Sequence, residues 1–322
     1  MKVDLYPEYR GKISEAIVSN GREIITTENE LKKYMKTCVM EMPRSIGTYD
    51  YSVWIRDPAI FLGYTNEKKP LILMSDEEIL CSIGSPKDVS DAFVMREYMQ
   101  KRDFCIDYAP FFVIGGDCLI DKNRAIFGFT TSQITGWFFQ KHIGPRKIAD
   151  AMGKLGVETL VLDDSDFLDE YLYHKRRESG FFHIDTIFTI LPGNDKMNAI
   201  VCKPYKMNDT VCKLHGSETG KKYVGYITEK LSENGYNIIE TPAIFDGMYI
   251  WSPVNSLVDG EKKKIFITPC HRSEDFTKEA EKIYSELGYE TVVIDADAEI
   301  NAHAGGLRCI SFALKEDTAN EQ

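Results

Sequence analysis

The sequence lacks the features that mark several large classes of protein. No pair of its eight cysteines has CxxC spacing, and its first residues, MKVDLYPEYRGK, contain no apolar segment of the kind found in secretory signal peptides. No apolar run approaches the ~18 to 20 residues needed to span a bilayer. No phosphate-binding loop or dinucleotide fingerprint is present. We therefore expect a cytoplasmic protein with free thiols.

The charge and composition also disfavour large anionic partners. The 322 residues carry a formal net charge of -11, the wrong sign for attraction to nucleic acid or to an anionic membrane. No long linker rich in Pro, Gly and Ser interrupts the chain, and 43% of its residues are apolar, enough for a substantial core. We predict one domain over residues 1–322 and a small molecule as its partner. Whether the chain forms a homo-oligomer stays open.

Strand-like and helix-like segments alternate along the whole chain. Apolar and β-branched residues predict strands at 23–27, 111–120 and 183–191, among others. Helical spacing predicts helices at 90–102, with Ser90 as the N-cap, and at 134–155. Strand-strand-helix-strand units of about 60 residues would fit about five times into the chain. The pattern therefore predicts an α/β fold of repeated units.

Four short segments carry the candidate site residues. They are Trp54-Ile55-Arg56-Asp57-Pro58, Gly115-Gly116-Asp117, His183-Ile184-Asp185-Thr186 and Gly305-Gly306-Leu307-Arg308-Cys309. A glycine pair before Cys309 lets the backbone approach a ligand closely. His183 and Asp185, two apart in a predicted strand, would point to the same face. An imidazole there can protonate a leaving amine and then activate water, and a carboxylate can hold a guanidinium by two parallel hydrogen bonds.

In this order the segments resemble those of the arginine deiminase and amidinotransferase superfamily. The resemblance implies that superfamily's pentein fold, a five-bladed α/β propeller of ββαβ units, as a single catalytic domain. It implies that Cys309 attacks a guanidino carbon and that His183 moves the protons. It implies no metal or organic cofactor. The substrate-binding residues that it predicts are Asp57, Asp185, Asp117 and Arg56.

The chain departs from this family at three positions. Where the family has an acidic residue before the first Gly-Gly, this chain has Ile114, which cannot orient an imidazole. Where arginine deiminases have arginines for the substrate's α-carboxylate, it has Ala304 and, in our alignment, Gln133. A buried carboxylate without a cationic partner is costly. We therefore expect a guanidino substrate that lacks the α-carboxylate or carries it elsewhere.

The expected activity is hydrolysis at the guanidino carbon through a covalent amidino-thiol adduct. Two alternatives stay open. The first is an amidinotransferase, which passes the amidino group to an amine. The second is a binding protein that kept the fold without turnover, which Ile114 favours. The Arg56-Asp57-Pro58 segment and the glycine-flanked Cys309 favour the deiminase.

Overall fold

The computed structural model describes residues 3–7, 9–19, 25–41, 56–122, 124–139, 143–163, 183–206, 217–246, 249–295 and 306–316. The helices in this part of the chain are α1 (Ile25–Leu31), α2 (Glu77–Ile83), α3 (Pro86–Lys101), α4 (Phe129–Phe138), α5 (Gly144–Lys154), α6 (Ser217–Glu233) and α7 (Glu274–Glu286). None of these described helices is long and apolar enough to span a bilayer. The strands are β1 (Val3–Leu5), β2 (Lys12–Ser19), β3 (Lys36–Met40), β4 (Ile60–Thr65), β5 (Pro70–Ser75), β6 (Cys105–Ala109), β7 (Cys118–Ile120), β8 (Arg124–Phe127), β9 (Glu158–Val161), β10 (Phe188–Leu191), β11 (Asn198–Lys206), β12 (Asn237–Asp246), β13 (Tyr249–Trp251), β14 (Leu257–Asp259), β15 (Lys264–Ile267), β16 (Glu290–Val293) and β17 (Ser311–Glu316).

The described strands form five sheets with one recurring plan. In four of them an antiparallel pair is followed by a helical crossover to a parallel third strand: β4-β5-β6, β7-β8-β9, β10-β11-β12 and β14-β15-β16. The fifth joins the two ends of the chain, because β17 pairs antiparallel with β2, and β3 lies beside β2 after α1. The predicted α/β class and its repeating unit are therefore confirmed.

Contacts divide the chain into two compact units. Unit 1 comprises Met1–Pro7, Ser19–Arg22 and Val39–His174, and unit 2 comprises Glu8–Val18, Glu23–Cys38 and Lys175–Gln322. The single domain over 1–322 stays a prediction.

Each unit has its own apolar core. In unit 1, Phe111 and Phe127 meet edge to face with their ring centroids 5.5 Å apart. In unit 2, Trp251 and Tyr284 are fully buried. Their polar atoms are satisfied, since the Trp251 indole donates to the carbonyl of Thr268 at 3.0 Å and the Tyr284 hydroxyl to that of Pro253 at 2.9 Å. These cores support the strands that follow the turns with the candidate site residues.

Two predicted helices differ from the observed ones because of local chemistry. The helix predicted from Ser90 begins at Pro86, because Ser85 and Asp88 form a reciprocal capping box and proline suits the first helical turn. The helix predicted over 134–155 is two helices, α4 and α5. Gly144 starts the second helix against the carbonyl of Ser132, where a Cβ would lie 2.0 Å from the oxygen. The strand predicted over 23–27 is also wrong from residue 25 onward, since α1 begins at Ile25, and residues 23 and 24 lie outside the described residues.

Both long strands predicted around the site segments begin later than expected. Residues 115–117 and 184–186 are 3₁₀ turns, and the strands proper start at Cys118 and Phe188. The side-chain alternation expected of His183 and Asp185 in a strand therefore does not apply. Apolar runs are compatible with both conformations, which is why periodicity alone did not separate them.

Candidate functional site

The described residues of all four segments found in the sequence lie in the same structural position. Each includes the turn that leads into the first strand of a sheet: residues 56–58 before β4, 115–117 before β7, 184–186 before β10 and 307–310 before β17. The equivalent turn of the remaining sheet, residues 253–255 before β14, carries Asn255. The motifs thus occupy one recurring place in the fold, and the fifth turn supplies a residue that the sequence analysis missed.

Cys309 lies against Asp185 in unit 2. The Cys309 Sγ is 3.7 Å from Oδ2 and 3.9 Å from Oδ1 of the Asp185 carboxylate, and the side-chain amide nitrogen of Asn255 is 3.0 Å from the same sulfur. All three residues are at least 95% buried. The turn that carries Cys309 is closed by its own N–H, which donates to the carbonyl of Gly306 at 3.1 Å. A thiol, a carboxylate and an amide donor are therefore fixed together.

The Asp185 carboxylate already binds one guanidinium. The Arg308 Nη1 donates to Asp185 Oδ2 at 2.6 Å, and both side chains are buried. Arg308 is part of the segment that ends at Cys309, but the sequence pattern assigns it no role. A carboxylate has about four lone-pair positions on its two oxygens, so one hydrogen bond from Arg308 does not exhaust its capacity. The Asp185 carboxylate is thus buried beside the sulfur with Arg308 as its counter-charge.

Asn255 connects the turn of Cys309 to that of Asp185. Its Oδ1 accepts hydrogen bonds from the backbone N–H groups of Arg308 at 2.9 Å and Cys309 at 3.2 Å, and its Nδ2 donates to the backbone carbonyl of Asp185 at 3.4 Å. Gly306 permits this approach, because a Cβ there would lie 2.7 Å from Asn255 Oδ1. The position of Asn255 before the first strand of a repeat is the signal that could have found it.

His183 immediately precedes the 3₁₀ turn of Asp185 and is half-buried. Its backbone carbonyl accepts hydrogen bonds from the Thr186 N–H at 2.9 Å and the Thr186 hydroxyl at 2.7 Å. These bonds fix the backbone from which the imidazole projects. The role of His183 as a proton shuttle stays a prediction.

The segment with Arg56 and Asp57 belongs to unit 1. Arg56 is buried and Asp57 is half-buried, and the Asp57 carbonyl accepts a hydrogen bond from the Gly115 N–H at 2.9 Å. A Cβ on Gly115 would lie 2.0 Å from the carbonyl oxygen of Arg56 and 2.3 Å from that of Ala59. Gly115 thus holds two of the predicted segments together. The substrate-binding roles of Arg56 and Asp57, and the sharing of one guanidinium by Asp57 and Asp185, stay predictions.

Asp117 serves the start of α4. Its Oδ2 accepts a hydrogen bond from the backbone N–H of Thr131 at 2.7 Å, and its backbone carbonyl accepts from Gly128 at 2.8 Å. Gly128, the N-cap of α4, has no side chain to do this. Asp117 is completely buried, as is most of its neighbour Ile114. The substrate-binding role predicted for Asp117 stays a prediction beside this helix-capping contact.

At Gln133 and Ala304 the sequence lacks the arginines that would bind the α-carboxylate of a substrate. The Gln133 amide donates to the Asp163 carboxylate at 3.2 and 3.4 Å, which places an acidic group where the family comparison suggested an arginine. Ala304 lies outside the described residues. Among the residues that are described, no cluster of three His, Cys, Asp or Glu side chains is arranged to hold a metal ion.

Cys202 is a second buried thiol in unit 2, but its surroundings differ from those of Cys309. Its sulfur lies 3.2 Å from the Ser252 hydroxyl and 3.4 Å from the Thr186 carbonyl oxygen. Burial raises the pKa of the Cys202 thiol to about 12, although the hydrogen bond between Cys202 and Ser252 acts in the opposite direction. Cys202 is therefore protonated and unreactive at neutral pH.

Solved structures of several enzymes have this architecture over nearly their whole length. An agmatine deiminase of Enterococcus faecalis is 12% identical and has a TM-score of 0.64, covering 98% of this chain and 96% of its own. An agmatine deiminase of C. jejuni with substrate bound is 13% identical with a TM-score of 0.62, over 98% and 97%. The chain has the pentein fold.

A more distant pentein structure is that of a dimethylarginine dimethylaminohydrolase adduct. It is 14% identical and has a TM-score of 0.52, covering 94% of this chain and 100% of its own. No family model matches the sequence, and no curated protein matches it at a significant level. The predicted resemblance to penteins is nevertheless confirmed by these structures, although it was drawn from only four short segments.

Proposed function

We propose that this protein is a cysteine-dependent hydrolase that acts on the guanidino carbon of a small guanidino compound. The observation that carries the proposal is the buried contact of the Cys309 sulfur with the Asp185 carboxylate, at 3.7 and 3.9 Å. A carboxylate there can hold a guanidinium with its carbon beside the thiol. The similarity to agmatine deiminases and to a dimethylarginine dimethylaminohydrolase supports the same reaction class.

The ion pair of Asp185 with Arg308 supports the cation-binding part of this proposal. Arg308 carries the same guanidinium group as the proposed substrate, and Asp185 holds it at 2.6 Å. A substrate would use the remaining acceptor positions of Asp185, with Asp57 as the second predicted carboxylate. Guanidinium and carboxylate geometries match in two parallel hydrogen bonds.

In the proposed reaction the Cys309 thiolate forms a C–S bond with the guanidino carbon. The bond from that carbon to one terminal nitrogen breaks, and His183 gives the departing nitrogen the proton with which it leaves as ammonia. A covalent amidino-thiol adduct remains on Cys309. Water, deprotonated by His183, then adds to the same carbon. The C–S bond breaks, the thiolate returns, and the product is a ureido compound.

The contact between Gln133 and Asp163 in unit 1 supports a choice of substrate class. A neutral Gln133 that is bonded to Asp163 gives a substrate α-carboxylate no cationic partner at this position. Agmatine, which has a guanidino group and no carboxylate, fits this arrangement better than arginine does. We therefore propose a decarboxylated or otherwise carboxylate-free guanidino compound as the substrate.

A quenched reaction with agmatine tests the proposal and separates hydrolysis from amidino transfer. For the deiminase, the adduct on Cys309 has the mass of agmatine minus ammonia, because the carbon chain stays attached. For an amidinotransferase the adduct carries the amidino group alone. A kcat/KM for arginine far above that for agmatine would contradict the substrate class, and no turnover of either compound would favour the binding protein instead.

A further inference from the structure

Asn255 has an amide orientation that its neighbours determine. Its Oδ1 faces the backbone N–H groups of Arg308 and Cys309, at 2.9 and 3.2 Å. Backbone N–H groups can only donate, so the acceptor atom of the amide must face them. Its Nδ2 must then face the Cys309 sulfur and the Asp185 carbonyl, at 3.0 and 3.4 Å. Both hydrogens of the amide are directed at acceptors.

We propose that Asn255 is a catalytic residue that donates a hydrogen bond to the Cys309 thiolate and stabilises its charged form. The inference rests on the proposed function for its role in turnover, but the contact itself does not depend on it. Asn255 is 1% exposed, so water does not compete for this hydrogen bond. In such surroundings a hydrogen bond to a charged group is stronger than one made in water.

The charges around the sulfur explain why such a donor is needed. The Asp185 carboxylate lies 3.7 Å away and opposes a second negative charge. Arg308 offsets part of the Asp185 charge through its hydrogen bond to Oδ2. His183, two residues before Asp185, is the titratable group at the entrance to the same turn. Neutral Asn255 donates directly to Sγ at 3.0 Å without competing for the cationic substrate.

The test is the pH dependence of Cys309 alkylation by iodoacetamide, measured by peptide mass in wild type and in Asn255→Ser. Serine removes the amide N–H that faces the sulfur, leaves only a hydroxyl on a shorter side chain, and adds no charge. We expect the midpoint of the rate profile to rise by about one pH unit, the size of one hydrogen bond to a charged group, and kcat to fall by about tenfold or more with a smaller change in KM. Alkylation needs no turnover, so its result stands even if the proposed hydrolase activity fails.

Asn198 offers a matched control. It is also a buried asparagine of unit 2, and its amide nitrogen donates to the Pro192 carbonyl at 3.3 Å. Asn198→Ser should leave the midpoint for Cys309 unchanged.

The isosteric Asn255→Asp is the second variant, in case serine prevents folding. It replaces the donor by an acceptor and should raise the midpoint further. A rise with aspartate and none with serine would reveal a charge effect alone and overturn the proposal. An unchanged midpoint in both variants, or the failure of both to fold, would also overturn it, since Asn255 would then serve the fold and not the sulfur.

Discussion

Two short 3₁₀ turns of this protein each carry a buried aspartate, and the two aspartates make different contacts. In unit 1 the 3₁₀ turn 115–117 precedes β7 and carries Asp117, and in unit 2 the turn 184–186 precedes β10 and carries Asp185. Both aspartates are completely buried. Asp117 accepts a backbone N–H at the start of α4, whereas Asp185 holds Arg308 beside the Cys309 sulfur.

A buried carboxylate in one of the repeated turns is therefore not by itself evidence of a substrate-binding site. In unit 1 the charge is used to begin a helix, where exposed N–H groups and the helix dipole favour an anion. In unit 2 it lies against a nucleophile and a guanidinium. The neighbours decide the role, and the following predictions separate the two cases.

The largest effect is expected from Asp185→Asn. It should lower kcat/KM by roughly 10²–10³-fold, because the cation loses a charged partner. It should also reduce the free energy of unfolding by about 3 kcal/mol, because Arg308 stays buried without its counter-charge. Steady-state kinetics and urea unfolding measure the two losses. Asp195→Asn, at an exposed position of unit 2, should change neither, and a fully active Asp185→Asn would remove the cation site from this turn.

Gly115→Ala should have the next largest effect, and on stability. Its Cβ would lie 2.0 Å from the carbonyl oxygen of Arg56, so the backbone of one turn must move, at a cost of roughly 3 kcal/mol. Thermal unfolding measures the loss. Gly153→Ala is the matched control, since a Cβ there meets no atom within 4 Å and α5 gains helix propensity. Equal melting temperatures for the two variants would show that the turns before β4 and β7 are not held by this contact.

Asp117→Asn tests whether the aspartate of the unit 1 turn serves the start of α4. Loss of the charge at the start of α4 should lower the free energy of unfolding by about 1 kcal/mol and change kcat/KM less than threefold. The same kinetic and unfolding assays apply. A fall in kcat/KM like that of Asp185→Asn, without loss of stability, would instead make Asp117 the substrate ligand that its sequence segment predicts.

The smallest effect is expected at Cys202. Burial raises the pKa of this thiol to about 12 from its usual value of 9.0, so only about one molecule in ten thousand carries the thiolate at pH 8. Iodoacetamide at pH 8 should leave Cys202 unmodified while it labels the exposed Cys81. As the pH rises, the Cys202 thiol ionises in the unfolded chain before it does so in the folded protein. The stability that its raised pKa contributes is therefore complete below about pH 9 and is lost between about pH 9 and 12. Rapid labelling of Cys202 in the folded protein would contradict its burial.

The sequence predicted the strands and helices with clear periodicity and missed features that depend on contacts distant in the chain. The strongly amphipathic pattern over 275–287 also predicts a helix, and α7 (Glu274–Glu286) matches it closely because its apolar face is regular. The 3₁₀ turns at 115–117 and 184–186 were predicted as strand, since short apolar runs fit both. Such errors arise where tertiary contacts, such as Gly115 against the Arg56 carbonyl, decide the backbone.

The candidate site was predictable only in part. Cys309 and Asp185 were found because motif segments mark them, and the structure places them together. Asn255 was missed because no motif marks it and its partners are 53, 54 and 70 residues away in the chain. The internal pairing of Arg308 with Asp185 spans 123 residues, which no local pattern could have indicated.

The most direct test of the account is the identity of the covalent adduct. Wild-type protein mixed with agmatine and quenched in acid should carry a mass increase of agmatine minus ammonia, mapped by peptide sequencing to Cys309. Cys309→Ser should fold normally by circular dichroism, carry no adduct and show no turnover. Near-normal turnover by Cys309→Ser, or turnover by wild type through an adduct on another residue, would contradict the claim that Cys309 is the nucleophile.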